Sequence, residues 1–439
     1  MYQEPGLVLI GPGGVGSKVL EQLIPHYHSY SNVVVADSQH GVAGLSSGED
    51  LAKVLHAKRN GGLQSLDMEL VRKADLAKYF LRGSIVINAM PTVFSADGLA
   101  GGETAASVMY DIEALSRGAH VVPAHKSAFG NPALYERVRK AASESGAMYI
   151  PAGVLMGPTR AAELLEWLNY NNIGVASARG IVNGTTSNML SKIGRDGASY
   201  EDALQEQIRL GNAEKPNGEK DVRGYDALTK MRVMAIISGK HGEGQLFGLE
   251  DSRSSLPASA RKKISGTGHL GIEGITAELM QELKSEGLAI KLVGSYDGIN
   301  GNIQVGPMTL PLDDPLVLAR DINNILVLNL EGKVNVNRMV SDVYSSYTSL
   351  QSDETGIQRH KVITEYPIAS NNGLRLDSFT TRIDYDPRTN QLTIEGPGAG
   401  AAETAAGLLG AVERIRRELS NKARVREDKP MMLASQDSM

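Results

Sequence analysis

The stretch Leu7-Val8-Leu9-Ile10-Gly11-Pro12-Gly13-Gly14-Val15-Gly16 decides the fold of this chain. Four apolar residues in a row read as a short buried strand. The glycines at 11, 13 and 16 then match the spacing G-x-G-x-x-G, and Val19, Leu20, Leu23 and Ile24 follow at helical spacing. In a strand-turn-helix unit the three glycines serve a tight turn, close approach of backbone to a pyrophosphate, and close packing of helix on strand. The helix start adds free N–H groups and the positive end of a dipole. Gly11, Gly13, Gly14, Val15 and Gly16 are therefore assigned to a bound dinucleotide.

Working outward, Val33-Val34-Val35-Ala36-Asp37, Ile85-Val86-Ile87-Asn88 and His120-Val121-Val122-Pro123 repeat the buried-strand pattern, with helical stretches such as 105–117 between them. Strands alternating with helices imply a doubly wound parallel sheet with right-handed crossovers. Residues 1–152 are expected to form this Rossmann domain. Asp37 ends the second strand about 20 residues past the glycines, where the ribose hydroxyls of NAD are held. A carboxylate there repels the 2′-phosphate of NADP, and no Arg or Lys follows until Lys53. NAD is the expected cofactor and NADP the alternative; Asp37 as a mere turn cap is the competing reading.

Beyond residue 152 the texture changes. Stretches 160–168, 201–210 and 225–237 read as helices, and Gly180 to Thr186 as a strand running into a turn. Residues 240–265 are polar and rich in Ser and Gly, the composition of a loop. From about 290 to 395 short alternating runs, such as 326–330 and 379–383, suggest an antiparallel sheet. Residues 153–394 are thus expected to be an α+β domain. An alanine-rich helix opens after Gly396-Pro397-Gly398-Ala399-Gly400 and is expected to return to the Rossmann domain over about 395–421, ending near Arg417. The tail 422–439 reads as disordered.

Composition narrows the function. A chain of 439 residues is long enough for two or three lobes. Its net charge of -5 offers no basic surface for nucleic acid or membranes. With no cysteine, disulfides, thiolate metal sites and thiol nucleophiles are excluded. No apolar run reaches membrane-spanning length, and the acidic start Met-Tyr-Gln-Glu is unlike a signal peptide, so a cytoplasmic protein is expected.

Two lysines and two acids carry the chemistry. Asp226 and Lys230 are four apart on the 225–237 helix, hence on one face. That helix is apolar nearly all round, so the pair is expected to be buried. Lys126 follows a sheet strand, where open α/β sheets bind ligands. A lysine that takes a proton from an alcohol needs burial or a second cation beside it; Lys126 and Lys230 converging on one alcohol would meet that need. Glu214 and Asp226 are acids suited to a substrate ammonium group.

These segments resemble the homoserine dehydrogenase family. Gly180-Ile181-Val182-Asn183-Gly184-Thr185-Thr186-Ser187-Asn188 is similar to its G-[IL]-x-N-G-T-x-N segment. Gly211-Asn212-Ala213-Glu214 and Asp221-Val222-Arg223-Gly224-Tyr225-Asp226-Ala227, with Lys230, resemble G-x-A-E…D-[VL]-x-G-x-D-[AV]-x-x-K. Pro123 to Lys126, Gly271 to Thr276, Ile290 to Leu292, and Gly398 to Ala405 agree in order, so the likeness runs from about residue 5 to residue 420. The resemblance implies interconversion of homoserine and aspartate semialdehyde with NAD(P), in threonine and methionine biosynthesis, by a homodimer whose 153–394 region also dimerises. It implies Lys230 and Asp226 as the catalytic pair, with Lys126 assisting. Glu214, Thr185 and Gly211 would lie at the substrate. Met90, Lys126, Asn183, Gly184, Gly400 and Thr404 would lie at the cofactor.

The match has gaps. The family's E-A-x-V-x-G-G-[IL]-P-[IL] stretch reads here Ile150-Pro151-Ala152-Gly153-Val154-Leu155-Met156-Gly157-Pro158-Thr159, followed by Arg160. With Ile150 in place of the glutamate, the monovalent-cation site of some family members is left open here, and no metal ligands are assigned. Arg160 is read as a partner for a second substrate carboxylate or as a surface residue. Met90 stands where the family has a threonine. About fifty extra residues fill 335–384, where extra strands or a larger subunit contact are expected. The family's regulatory domain does not follow, so no feedback inhibition through it is expected. Two alternatives stand beside this reading: a dehydrogenase of another small amino alcohol or hydroxy acid, and a non-catalytic dinucleotide-binding regulator.

Overall fold

The computed structural model describes residues 4–93, 105–213, 218–248, 256–261, 270–318, 323–344, 349–352, 356–370, 373–398 and 400–427. Its first half is a six-stranded sheet. Strands β1 (Leu7–Ile10), β2 (Val33–Ala36), β3 (His40–Leu45), β4 (Leu70–Arg72), β5 (Ile85–Asn88) and β6 (His120–Pro123) stand in the order β4-β3-β2-β1-β5-β6. The four strands β2, β1, β5 and β6 are parallel, and every residue in them is buried, as continuous apolar runs require. β3 and β4 add an antiparallel edge. Helices α1 (Gly14–Leu23), α2 (Gly48–Asn60), α3 (Ala106–Ser116) and α4 (Pro132–Ser145) supply the connections.

After α5 (Ala161–Tyr170) comes β7 (Val175–Ile181), the strand through which the chain enters a nine-stranded sheet. Helices α6 (Gly184–Asp196), α7 (Tyr200–Leu210), α8 (Glu219–Val222) and α9 (Tyr225–Ile237) lead to the edge strand β8 (Gly244–Leu246). α10 (Ala258–Arg261) and α11 (Ala277–Ser285) precede β9 (Leu288–Asp297) and β10 (Ile303–Pro311). α12 (Pro315–Leu318), β11 (Asn323–Leu330) and α13 (Val336–Val343) follow. The sheet is completed by β12 (Ser349–Ser352), β13 (Gln358–Ser370), β14 (Gly373–Asp386) and β15 (Gln391–Pro397), in the order β12-β13-β14-β15-β11-β7-β9-β10-β8. Apart from the parallel pair β8 and β10, it is antiparallel throughout.

The last helix, α14 (Ala401–Glu427), returns to the first sheet. Its Ala405, Leu408, Ala411, Val412 and Ile415 join Val19, Leu20 and Leu23 of α1 in one core cluster beneath β1 and β5. The segment at 335–384 is α13 plus a long hairpin, β13 against β14, that widens the second sheet.

Three expectations are corrected. The helix expected to end near Arg417 runs to Glu427, so 422–427 are helical rather than disordered; 428–439 lie outside the described residues. Part of the expected loop at 240–265 is the edge strand β8. The first sheet is not wholly parallel: β3 escapes the sequence pattern because Gly41 and Gly44 break its apolar run.

Candidate active site

A cleft of about 690 Å³ runs between the two sheets. Gly14, Val15, Lys18 and Gly400 to Thr404 border it at one end, and Lys126, Asn183, Asp221, Asp226 and Lys230 at the other. Its first end is made of backbone. Gly11 has φ +83°, and a Cβ there would fall 2.7 Å from the Ala89 carbonyl oxygen. A Cβ on Gly16 would come within 2.2 Å of the Gly11 oxygen, so helix and turn touch directly. A Cβ on Gly13 or Gly14 would meet nothing within 4 Å. The loop is thus closed on the protein side and open on the cleft side, the shape a pyrophosphate needs against the start of α1. Thr404 turns its hydroxyl back to the Gly400 carbonyl, 2.8 Å away, and so completes the turn opposite.

Asp37 directly follows β2 and is held there. Its Oδ1 accepts from the Gln39 and His40 amides, and its Oδ2 lies 2.8 Å from Lys58 Nζ. Burial works to raise its pKa, but these hydrogen bonds and the Lys58 charge hold the carboxyl below its ordinary value. Turn cap and ribose site are therefore not exclusive readings. The expected lack of a cation is corrected, because α2 brings Lys58 back onto β2. Met90 is partly buried, its N–H 3.3 Å from Asn88 Oδ1; Pro91 and Thr92 of the same loop border the cleft instead.

The other end is built on charge. Helix α9 is apolar on almost every side, so it buries Lys230, which is 8% exposed. One turn earlier Asp226 meets Lys230 Nζ at 2.8 Å, and Lys126 Nζ comes from the first sheet to 3.4 Å from the same carboxylate. Lys230 also donates to the Val182 carbonyl at 2.7 Å. Burial would raise the Asp226 pKa, yet Lys230, Lys126 and the Asn183 amide hold it well below the usual carboxylate range. Asn183 caps α6 with its Oδ1 on Thr186 N, and its Nδ2 donates to both Asp221 (2.7 Å) and Asp226 (2.9 Å). Arg232 of α9 reaches the Gly130 carbonyl at 3.3 Å, tying this helix to the loop that carries Lys126.

The structure thus gathers Lys126, Asn183, Gly184, Thr185, Gly211, Asp226 and Lys230 in one cleft with Val15, Gly400 and Thr404. Glu214 lies outside the described residues. The Thr185 hydroxyl donates to the Asn212 carbonyl at 2.9 Å, so its side chain ties α6 to the loop after α7. Arg160 is corrected on both readings. It is 4% exposed, away from the cleft, bidentate to Glu163 and stacked 5.6 Å from the Tyr344 ring centre. Asp221 is quoted in the family motif without a role, and Lys18 and Lys220 are assigned none, yet all three border the cleft; the signal for Asp221 is its five-residue offset before Asp226. Among the described residues no three His, Asp or Glu side chains gather as a metal site, and no helix is long and apolar enough to cross a membrane.

Comparison with known proteins agrees with this arrangement. Residues 167–342 match the family model of homoserine dehydrogenase. The homoserine dehydrogenase of Methanocaldococcus jannaschii is 26% identical over 355 residues, covering 77% of this chain and 90% of that protein. The Bacillus subtilis enzyme is 32% identical over 258 residues; the match spans 57% of this chain and about half of the relative, 53%. Among solved structures, a putative homoserine dehydrogenase from Archaeoglobus fulgidus has a TM-score of 0.60 at 21% identity, covering 94% of this chain and 99% of that one. A hyperthermophilic archaeal homoserine dehydrogenase in complex with NADPH has a TM-score of 0.58 at 19% identity, covering 95% of this chain and 98% of that one. The two solved structures share the fold; the family match rests on sequence, over the segment that holds Asn183, Asp226 and Lys230. The chain thus matches the homoserine dehydrogenase family model over residues 167–342 and is similar to a homoserine dehydrogenase over most of its length.

Proposed function

We propose that the protein is an NAD(P)-dependent homoserine dehydrogenase, interconverting L-homoserine and L-aspartate 4-semialdehyde on the way to threonine and methionine. The observation that carries this reading is the meeting of Lys126 and Lys230 on Asp226, at 3.4 and 2.8 Å, in the cleft that begins at the glycine loop. The glycine loop and the start of α1 hold the pyrophosphate, and the bound nicotinamide supplies or accepts the hydride. Lys126 and Lys230 face the reacting oxygen together. Two ammonium groups around that oxygen stabilise the negative charge that develops as hydride moves. In aldehyde reduction Lys230 donates a proton to the alkoxide oxygen; in alcohol oxidation it takes the hydroxyl proton. Asp226 fixes both lysines, and Asn183 fixes Asp226.

The substrate ammonium group is assigned to Glu214; Asp221, which borders the cleft, is a second acid suited to it. Its carboxylate is assigned to the first turn of α6, where the Gly184 and Thr185 N–H groups precede the amide that Asn183 caps, and Gly211 borders the same space. Residues 1–152 with the returning helix form the cofactor domain and 153–394 the catalytic domain, in a cytoplasmic homodimer. NAD is the preferred cofactor because Asp37 follows β2 directly, and Lys58 beside it tempers the rejection of NADP. Initial rates with homoserine and with other small amino alcohols and hydroxy acids test the assignment. Homoserine is expected to be turned over fastest; no rate with homoserine would overturn it.

A further inference from the structure

Behind Lys126 lies a buried polar cluster with no place in the proposed chemistry. Asp111 of α3 is fully buried, at 0% exposure, and so is Asn88 at the end of β5. Asn88 Nδ2 donates to Asp111 Oδ1 at 2.8 Å and to the Ser107 carbonyl at 2.9 Å. The other carboxylate oxygen of Asp111 lies 3.2 Å from Nε2 of His125, which is 1% exposed. The buried Tyr149 hydroxyl, which has no hydrogen-bond partner among the described residues, is a further titratable group that feels the Asp111 charge. A carboxylate shut away from water is expensive to keep unless a cation or donor faces it, so such clusters persist where they fix something.

What this cluster adjoins is the backbone of Lys126. His125 is the preceding residue, and the loops after β5 and β6 are laced together at that point. The Asn88 side chain accepts from Met90 N, the Thr92 hydroxyl accepts from Lys126 N at 3.1 Å, and the Ser127 hydroxyl accepts from Val93 N at 3.0 Å. The lacing sets how the two loops lie on each other, and its bonds are partly buried. Ala128 and Phe129 bury the chain after Lys126 in the apolar core, and His125 against Asp111 is the charged contact that holds the residue before it.

We propose that Asp111 and His125 are positioning residues for Lys126, holding its loop against α3 so that its ammonium group reaches Asp226 and the reacting oxygen. This rests on the reading that places Lys126 at the substrate hydroxyl. If Asp111 acts through Lys126, its effect must vanish once the lysine is gone, whereas a general loss of stability would persist. The test is a double-mutant cycle on homoserine oxidation. Asp111→Asn in the native background is expected to lower kcat about tenfold while changing the KM for the dinucleotide less than about twofold. In the Lys126→Ala background the same change is expected to alter kcat less than about twofold. Equal losses in both backgrounds, or no loss in the native one, would overturn the proposal. Should Asp111→Asn not fold, His125→Asn carries the same cycle.

Crystal structures of the native and variant proteins give a reading that needs no turnover. Lys126 Nζ, 3.4 Å from Asp226 in the native protein, is expected to withdraw in the variant; an unchanged separation would refute the positioning role. If the native protein turns over no homoserine, the proposed function fails, and the structural comparison alone decides the positioning. The same comparison decides it where Lys126→Ala leaves too little activity for the cycle.

Discussion

The two ends of the cleft are built on opposite principles. At the glycine loop the recognising groups are backbone, and what matters is the side chains that are not there: a Cβ on Gly16 would come within 2.2 Å of a carbonyl oxygen. At the lysine end the backbone is ordinary helix, and everything rests on two lysines packed around one carboxylate. The difference teaches how each end should fail. The first fails by geometry, through any added atom. The second fails by electrostatics, through the loss of one charge with the shape intact.

Asp226→Asn should sharpen that contrast most. It removes one charge from beside Lys126 and Lys230 without changing volume. Leaving two buried cations uncompensated should cost about 3 kcal/mol of stability and lower kcat by about 10³; calorimetry and steady-state rates check both. The sign with pH follows from the depressed pKa of Asp226: its contribution is present above about pH 4, the unfolded carboxyl value, and is lost as pH falls below it.

His120 gives a second, milder acid effect. Burial pushes its pKa down to about 4, with the Lys422 charge adding to it, and its Nδ1 accepts from Met148 N at 2.9 Å. The unfolded chain therefore gains a proton first as pH falls, and stability drops from about pH 6.5 to about pH 4 by up to roughly 3 kcal/mol. His120→Asn keeps an acceptor for the Met148 amide and should flatten that part of the acid-unfolding curve. An unchanged slope would show that another group titrates there.

At the other end, Gly16→Ala should cost about 2 kcal/mol in thermal unfolding, the scale of an overpacked close contact, and weaken dinucleotide binding with kcat at saturation little changed. A large fall in kcat without loss of binding would break the division between the two ends. The smallest effect is at Lys58. Lys58→Ala leaves the Asp37 carboxylate unneutralised, so kcat/KM should fall for NADPH by about tenfold relative to NADH, one charge contact at partial exposure. An equal response of both cofactors would place Asp37 away from the ribose.

The legibility of the sequence follows the same divide. The glycine loop is readable because its spacing is local and its steric demands are met within a few residues. Asp226 and Lys230 are readable because four residues on an apolar helix leave the pair little choice of side. The convergence of Lys126 follows from its place after a strand. What is not readable depends on packing between distant segments. Lys58 reaches Asp37 only because α2 folds back over β2, and Asp111 reaches His125 only because α3 lies across β5 and β6. Arg160 reads as a polar residue in a substrate loop, and its burial comes from Glu163 three residues on and Tyr344 far along the chain. The hairpin β13–β14 is legible only as extra strands, since its register is set across the sheet. The end of α14 is hidden because the polar residues after Arg417 have the composition of a tail.

The central claim is that Lys230 and Lys126 share one reacting oxygen beside a nicotinamide held elsewhere. It is tested most directly by Lys230→Ala, with homoserine turnover and the dinucleotide Kd measured on the same preparation. Turnover should fall by about 10³ or more while the Kd moves less than about threefold. Turnover within tenfold of native, or a Kd lost together with activity, would contradict it.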